Sequence, residues 1–519
     1  MGGAYMNVNK NKQVIIYYFT ALISGFCIMG IETSATRILS PYFGSTTLIW
    51  LIEISLIMIC IGIGNYFGGK RADKLVKTRT CEERIVKNLL ISFLFICTVP
   101  LTSKIVIMGS IILASEVQLG NIIMISSIIC SIVLFSVPLI FMGTISPLLA
   151  KISITSLDET GNVMGNLYLF NIFGSVLGTM IPTILVIPKI GVKRSFLLFG
   201  AVLAIILILY SKKIKKNFLL NSIICVLWLC MSLYLSTTSL AFDKPVHEEE
   251  SEYNYINVSQ NDDGKLALKT NVFFGAQSIK VDKNKKKSGY YYDEFVKINN
   301  LLDDKVKHKI LIIGYGTGTM STLLHKNFDN FEVTGIEIDR NIVNLRELYF
   351  NKSDDKIIIS DGRNYLNSTD EMYDLIILDV YQNISMPINL TTREFFEDCK
   401  AHLNRNGIIA LNIGLGNSLN SNLVLALSGT LKCVCPNVYK YKTKSDNNVI
   451  VYGSEKNLEL SLKEQNKNHL KDETKKLFKD SQKVEDVNNI LSDDINNIEK
   501  LQDEEFNKIV KNQMKIRKD

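Results

Sequence analysis

The chain has 519 residues, a formal net charge of +7 and 47% hydrophobic residues, too long for one ordinary domain. Residues 1–241 carry 19 Lys+Arg against 8 Asp+Glu, and the remainder carries 39 against 43. The basic excess therefore sits in the short loops of an apolar half, and no nucleic-acid partner is expected.

The first half contains seven apolar stretches of spanning length: Val14–Ile31, Leu48–Phe67, Asn88–Ala114, Ile122–Met142, Leu167–Ile187, Ser195–Tyr210 and Phe218–Ala241. They predict a multi-pass helical membrane domain over 1–241, with the bilayer as a partner. The third stretch is long and contains Pro100 and Lys104. The loop from Lys70 to Lys87 holds seven Lys or Arg, and Lys212, Lys213, Lys215 and Lys216 follow the sixth stretch. Both loops should be cytoplasmic, whereas residues 115–121, without Lys or Arg, should be outside. Lys189, Lys193 and Arg194 disagree weakly. Glu32 and Glu53 lie at the edge of, or within, apolar spans; each reads as a functional carboxylate or as a helix-packing or interfacial group. Gly174-x-x-x-Gly178 reads as a close helix contact. The stretch GGKRADK at 68–74 resembles the Gly-x-x-x-Asp-Arg loop of major facilitator transporters.

Seven of the ten cysteines lie in this half, scattered through apolar runs or a loop, as small buried residues do. Cys433 and Cys435 form a lone C-x-C without a second pair or a nearby His, so no metal is expected.

Residues 245–300 alternate in short segments with a turn at Asn261-Asp262-Asp263-Gly264, predicting a small antiparallel sheet, followed by a helix at YYDEFVKINNLL. Residues 301–455 alternate apolar strands with helices, predicting a Rossmann-like α/β domain with a parallel sheet covered on both faces. Residues 456–519 are rich in Lys, Glu, Asp and Asn and predict a charged, partly helical or disordered tail.

Ligands of such sheets bind at the carboxyl ends of the strands. Four successive strand ends here carry Gly314, Gly316 and Gly318, then Glu337, then Asp361-Gly362, then Asp379. The third glycine comes one residue early for the dinucleotide fingerprint, and position 319 is Thr, which lowers NAD. Glu337 falls where an acid accepts ribose hydroxyls. Asp361-Gly362 suits an adenine amino group. Asp379, beside Tyr381, is placed to hold an ammonium or take its proton. Singly, each acid is as well explained by a helix cap or a turn; together they suit a nucleoside pocket.

The order ILIIGYGTGT, GIEIDR, SDGRNYL, YDLIILDVY, TTREFFEDCKAHLNRNG resembles the spermidine synthase (polyamine aminopropyltransferase) family over about residues 248–455. The first half resembles the multi-span region of membrane-fused relatives, through GIETSATRILSPYFGS, FMGTISPLLAK and GNLYLFNIFGSVLGT. The resemblance implies a methyltransferase-type sheet, decarboxylated S-adenosylmethionine as co-substrate with no tightly bound cofactor, and a diamine such as putrescine as acceptor. A homodimer is compatible with it. It implies Asp379 as general base, Glu337 on the ribose, Asp361-Gly362 on the adenine side, and Gln277 in the β-part motif. Four departures stand out: Thr317 replaces an Asp of the glycine turn, Gln382 an Asp after the base, Asp293 a His before Glu294, and Asn254 an early Gln. The nucleoside side of the site looks kept and the amine side, with Asn254, Gln277, Asp293, Tyr381 and Gln382, altered.

Three readings stay open: a membrane-bound aminopropyltransferase, an S-adenosylmethionine-dependent methyltransferase, and a non-catalytic nucleoside- or polyamine-binding domain of a transporter or sensor. Seven spans from an inside N-terminus put the second half outside, yet a cytosolic donor calls for a cytoplasmic domain. One stretch failing to span, or the third being two, would reconcile them; otherwise the domain is outside.

Overall fold

The computed structural model describes residues 2–519 except 117–120, 155, 237–238, 242–244, 262–263, 273–274, 303–305, 381–385, 445–446, 459–469, 486, 488 and 519; of 2–14 and 510–518 it describes the backbone alone. The chain divides into two units, Met1–Leu240 and Ala241–Asp519.

The first unit is helical: α1 (Gly2–Phe43), α2 (Thr47–Asp73), α3 (Thr78–Glu116), α4 (Ile122–Gly143), α5 (Ile145–Ser153), α6 (Thr160–Ile181), a π-turn at Pro182–Val186, α7 (Ile187–Ile190), α8 (Val192–Ile214) and α9 (Phe218–Leu235). Among the described residues seven helical stretches are long and apolar enough to cross a membrane, each overlapping one expected from sequence. The third is one helix with Pro100 inside it, so it does not supply an eighth crossing. Close approach of small residues and buried hydrogen bonds join these helices. A Cβ at Gly174 or Gly178 would collide with the Leu22 or Phe26 carbonyl, which makes the expected glycine face the contact between α6 and α1. Glu53 is buried and accepts from Ser131, tying α2 to α4.

The second unit opens with a four-stranded antiparallel meander, β1 (His247–Glu250), β2 (Tyr255–Gln260), β3 (Leu266–Lys269) and β4 (Ser278–Ile279). At the β2–β3 turn Gly264 takes φ 73° and its N–H donates to the Asn261 carbonyl at 2.9 Å; Asp262 and Asp263 lie outside the described residues. Helix α10 (Tyr292–Asn299) leads into β5 (His308–Ile313), α11 (Thr319–Asn327), β6 (Phe331–Glu337), α12 (Arg340–Tyr349), β7 (Lys356–Ile359), α13 (Gly362–Leu366), β8 (Tyr373–Leu378), α14 (Arg393–Ala401), β9 (Leu403–Ile413), α15 (Asn422–Val434), β10 (Asn437–Lys442) and β11 (Val449–Ser454).

The large sheet has the order β12-β10-β11-β9-β8-β5-β6-β7, where β12 is Gln482–Lys483. Strands β5 to β9 pair in parallel, as their unbroken apolar runs require: Ile310 to Ile313 are all at most 1% exposed. The expectation of a parallel sheet omits β10 and β11, which pair antiparallel beyond β9. The chain leaves β5 for β6 and β7 on one side and returns to β8 and β9 on the other. The gap between β5 and β8 is therefore the switch point where such sheets bind ligands.

The segment after 455, expected as a polar tail, is in good part folded onto the unit. Helix Lys471–Asp480 receives a hydrogen bond at Thr474 Oγ1 from Asn300 at 2.9 Å, and β12 extends the sheet beside β10. Its composition is polar because it covers a surface with one face; Leu470, Leu477, Leu491, Ile498 and Leu501 are the buried anchors.

Candidate active site

A cavity of about 330 Å³ lies at the switch point. Gly314, Gly316, Glu337, Asp361, Gly362 and Asp379 all line it, so the four strand ends do converge.

The glycine turn is dictated by space as well as by dihedral. Gly314 and Gly316 take φ 84° and 57°, a region L side chains rarely adopt. A Cβ at Gly314 would stand 2.6 Å from the Asp379 carbonyl oxygen, and one at Gly316 would stand 2.6 Å from Ser278 Oγ. Thus β5 and β8 close on each other at Gly314, and the small sheet closes on the turn at Gly316. The Thr317 N–H donates to Ser278 Oγ at 3.0 Å.

Glu337 braces this turn. Its Oε2 accepts from the Gly316 N–H at 2.9 Å and its Oε1 from the Asp339 N–H at 3.1 Å. Burial pushes its carboxyl up to about 6 against the pull of those N–H groups. Each oxygen keeps a lone pair that a vicinal diol can use. Asp361 caps α13, its Oδ1 accepting from the Arg363 and Asn364 N–H groups at 3.0 Å. It is both a cap and a cavity residue; the two explanations do not compete.

Asp379 is held on two sides. Tyr291 Oη donates to Oδ2 at 2.9 Å and to Oδ1 at 3.1 Å, and Asn412 Nδ2 donates to Oδ1 at 2.9 Å. Asn448 Nδ2 donates to Asn412 Oδ1 at 2.7 Å, which fixes that amide with its nitrogen toward Asp379. Burial raises the Asp379 carboxyl to about 6, and the two donors only partly offset it. Burial beside this carboxylate pushes the Tyr291 phenol well above its ordinary value, so Tyr291 remains a donor. The result is a carboxylate that is ionised at neutral pH yet basic enough to take a proton.

Behind the turn, Tyr315 Oη donates to Asp355 Oδ2 at 2.6 Å, and Asp355 also accepts from Ser353 at 2.6 Å and from Ser321. His325 Nε2 lies 2.8 Å from the other oxygen. Burial acts upward on Asp355, but this ring of donors outweighs it and holds the carboxyl down at about 2. The network pins Tyr315, against whose ring Gly335 packs.

The other expected residues divide. Asn254 and Gln277 line the cavity, and Asn254 Nδ2 donates to Asp339 Oδ2 at 2.9 Å. Thr317 is buried with Oγ1 lacking a hydrogen-bond partner, and neither it nor Gly318 lines the cavity. Asp293, expected as a substrate contact, instead accepts from the Ser288 N–H at 2.7 Å and the Gly289 N–H at 2.9 Å, closing the turn before α10. Its place in the first turn of a helix, where the dipole favours an acid, suits this structural use of the carboxylate. Tyr381 and Gln382 lie outside the described residues. Sequence reasoning missed Tyr291 and Asn412. A signal for Asn412 existed: a lone amide in the apolar run of β9. Among the described residues no His, Cys, Asp and Glu group could hold a metal ion.

Residues 290–463 match the family model of the spermine/spermidine synthase domain. The C-terminal unit carries a spermine/spermidine synthase domain. The chain is similar to a probable polyamine aminopropyl transferase of Bifidobacterium longum, 33% identical over 233 residues, which are 44% of this chain and 51% of the relative. It is also similar to the polyamine aminopropyltransferase of Erwinia tasmaniensis, 31% identical over 136 residues, 24% of this chain and 47% of that one. It thus spans about half the length of these curated relatives. Among solved structures it is similar to a probable spermidine synthase from Corynebacterium glutamicum, with 21% identity and a TM-score of 0.36 over 41% of this chain and 81% of that one.

One part of the site lies outside the matched synthase domain, and a segment beyond that domain supports a wall of the site. The small sheet before it supplies Asn254, Gln277 and Ser278. The segment after it holds the cavity wall at Pro387, Asn389 and Leu390. There the Met386 N–H donates to the buried Gln502 at 3.2 Å, and Asn496 Nδ2 donates to Thr391 Oγ1 at 3.0 Å. Arg363, next to Gly362, donates through both terminal nitrogens to Asp493, each at 2.8 Å.

Proposed function

We propose that the C-terminal unit is a polyamine aminopropyltransferase of spermidine-synthase type. It moves an aminopropyl group from decarboxylated S-adenosylmethionine to a diamine such as putrescine and releases methylthioadenosine. The observation that carries this reading is the Asp379 carboxylate, raised to about 6 and held by Tyr291 and Asn412 in one cavity with Glu337 and Asp361.

In this reading Glu337 accepts the ribose hydroxyls and Asp361-Gly362 meet the adenine, which places the sulfonium near the end of β8. Asp379 accepts a hydrogen bond from the acceptor ammonium and then takes its proton. The freed nitrogen lone pair forms a bond to the methylene carbon next to sulfur. The C–S bond breaks with its electron pair going to sulfur, which turns the sulfonium into a neutral thioether. The positive charge that leaves sulfur appears on the new secondary amine, and the proton rests on Asp379 until solvent removes it. Tyr291 and Asn412 orient the carboxylate and limit its basicity.

The test is product analysis on the purified full-length protein. Decarboxylated S-adenosylmethionine or S-adenosylmethionine is supplied with a panel of amines, and the sulfur nucleoside is followed by mass spectrometry. Methylthioadenosine that depends on Asp379 is the expected product. S-adenosylhomocysteine would replace this reading with methyl transfer. Tight nucleoside binding without either product would leave a sensing or transport-linked domain.

We also place the seven apolar helices in a membrane and the synthase domain in the cytoplasm, where its donor is made. The charge bias of the loops and the seven helices together put the domain outside, so this placement rests on the donor and requires that one of the seven stretches not span. Cys433 is exposed and Cys435 is buried, so an impermeant thiol reagent applied to intact cells should leave Cys433 unlabelled until the membrane is opened. Labelling without opening it would put the domain outside.

A further inference from the structure

One cavity of the N-terminal unit, of about 480 Å³, lies between the end of α2, the first turns of α3 and the turn joining α8 to α9. Arg71, Arg84, Lys87 and Lys216 line it, and Glu83 is the one acid among its lining residues. Glu83 is already engaged, 2.8 Å from Lys216 and 3.8 Å from Arg79. Among the described residues Arg71, Arg84 and Lys87 have no carboxylate within ion-pair distance. Arg84 Nε is buried and has no hydrogen-bond partner. The rest of the lining is an apolar wall of Leu75, Val86, Leu90 and Ile214 together with the polar Thr80, Asn217 and Asn221.

Like charges gathered round one cavity repel, and a buried guanidinium N–H without an acceptor is costly. A multivalent oxyanion relieves both, and the fork of an arginine matches two phosphate oxygens at once. The apolar wall suits a phosphate that carries hydrocarbon. All these residues lie at the helix ends that the Lys and Arg bias assigns to the cytoplasmic face, where anionic lipids concentrate.

We propose that this cavity binds a phosphate-bearing anion, for which an anionic phospholipid headgroup is the source that the apolar wall favours. The site is independent of the chemistry of the synthase domain, and its test needs no turnover. Full-length protein is reconstituted in nanodiscs of phosphatidylcholine with or without phosphatidylglycerol. Lipid retained after extraction is counted by native mass spectrometry, with thermal stability as a second readout. The wild type should retain phosphatidylglycerol over phosphatidylcholine. The Arg71→Gln/Arg84→Gln variant should lose that preference by roughly fivefold per cation removed. Lys77→Gln, a cation of the same loop that does not line the cavity, should leave it unchanged. Should the double variant lose its thermal transition, Lys87→Gln repeats the test at an exposed lining residue. Stabilisation of the wild type by inorganic phosphate alone, lost in the same variants, would assign the site to a soluble anion. Equal retention by wild type and variants, or an equal loss in Lys77→Gln, would overturn the proposal.

Discussion

The glycine-turn wall of the cavity comes from one run of chain, β5 through α13, in which each strand delivers its polar group at its own end. The Asp379 wall is assembled from segments as distant as Tyr291, Asn412 and Gln502. The first wall follows from backbone geometry, since a parallel strand followed by a helix must present its carboxyl end to the switch point. The second depends on side chains meeting across the fold. The proposed chemistry assigns the donor nucleoside to the first wall and the acceptor amine to the second, so substitutions in the two should separate in kinetics.

Asp379→Asn should give the largest effect, because it removes the proton acceptor. A general base is worth roughly 10²–10⁴-fold in rate, and kcat should fall by that order while methylthioadenosine binding changes little. In the wild type, kcat/KM should decline as pH falls through about 6, the value to which burial raises this carboxyl. The same shift fixes a stability effect of opposite sense. The folded-state carboxyl lies above its unfolded value, so ionising it costs the fold stability as pH rises from about 4 to 6. Asp379→Asn should therefore melt higher than wild type at pH 7.5 and lose that advantage at pH 4. An inactive variant that is less stable at both pH values would mean that Asp379 is a structural carboxylate.

Glu337→Gln tests the other wall. An amide can offer an acceptor to only one of the Gly316 and Asp339 N–H groups, whereas the carboxylate serves both. A buried N–H left without its partner costs about 1–3 kcal/mol, so methylthioadenosine should bind roughly ten- to a hundredfold more weakly by calorimetry. The KM of the amine should move far less. Equal loss on donor and amine would erase the division between the walls.

The same division explains what the sequence makes legible. Glu337, Asp361 and Asp379 are readable because each ends an apolar run, and the glycines because only they tolerate φ near 84° with a neighbouring backbone so close. Tyr291 stands in a run of three tyrosines before a helix, where nothing local says which ring turns inward. Asp293 misleads for the converse reason: an acid in a first helical turn has a structural use that alignment to a motif does not reveal. The folded end of the chain is concealed by composition. Its buried apolar anchors are spaced too widely to stand out among Lys, Asp and Asn, and its hold on the unit runs through polar bonds such as Arg363 to Asp493.

Those polar bonds make the third prediction. Gln502 holds the Met386 N–H just before the cavity wall at Pro387, Asn389 and Leu390. Gln502→Ala should loosen that wall and raise the amine KM about tenfold, an effect equivalent to one lost hydrogen bond, with donor affinity kept. Gln502→Glu keeps the acceptor oxygen and should recover much of the loss. A fall in thermal stability with unchanged kinetics would reduce the tail to a surface cover.

The smallest effect separates the walls most finely. Thr317 belongs to the glycine turn by sequence, yet its hydroxyl is buried without a hydrogen-bond partner and away from the cavity. A buried hydroxyl that makes no bond is a burden on the fold, and valine has nearly the same shape without it. Thr317→Val should therefore raise stability by about 1 kcal/mol and leave both donor and amine kinetics as they were. Weaker nucleoside binding in this variant would show that the hydroxyl turns toward the ligand once the cavity fills. It would then extend the glycine-turn wall by one residue at a position where the resemblance expects a charge and this chain has none.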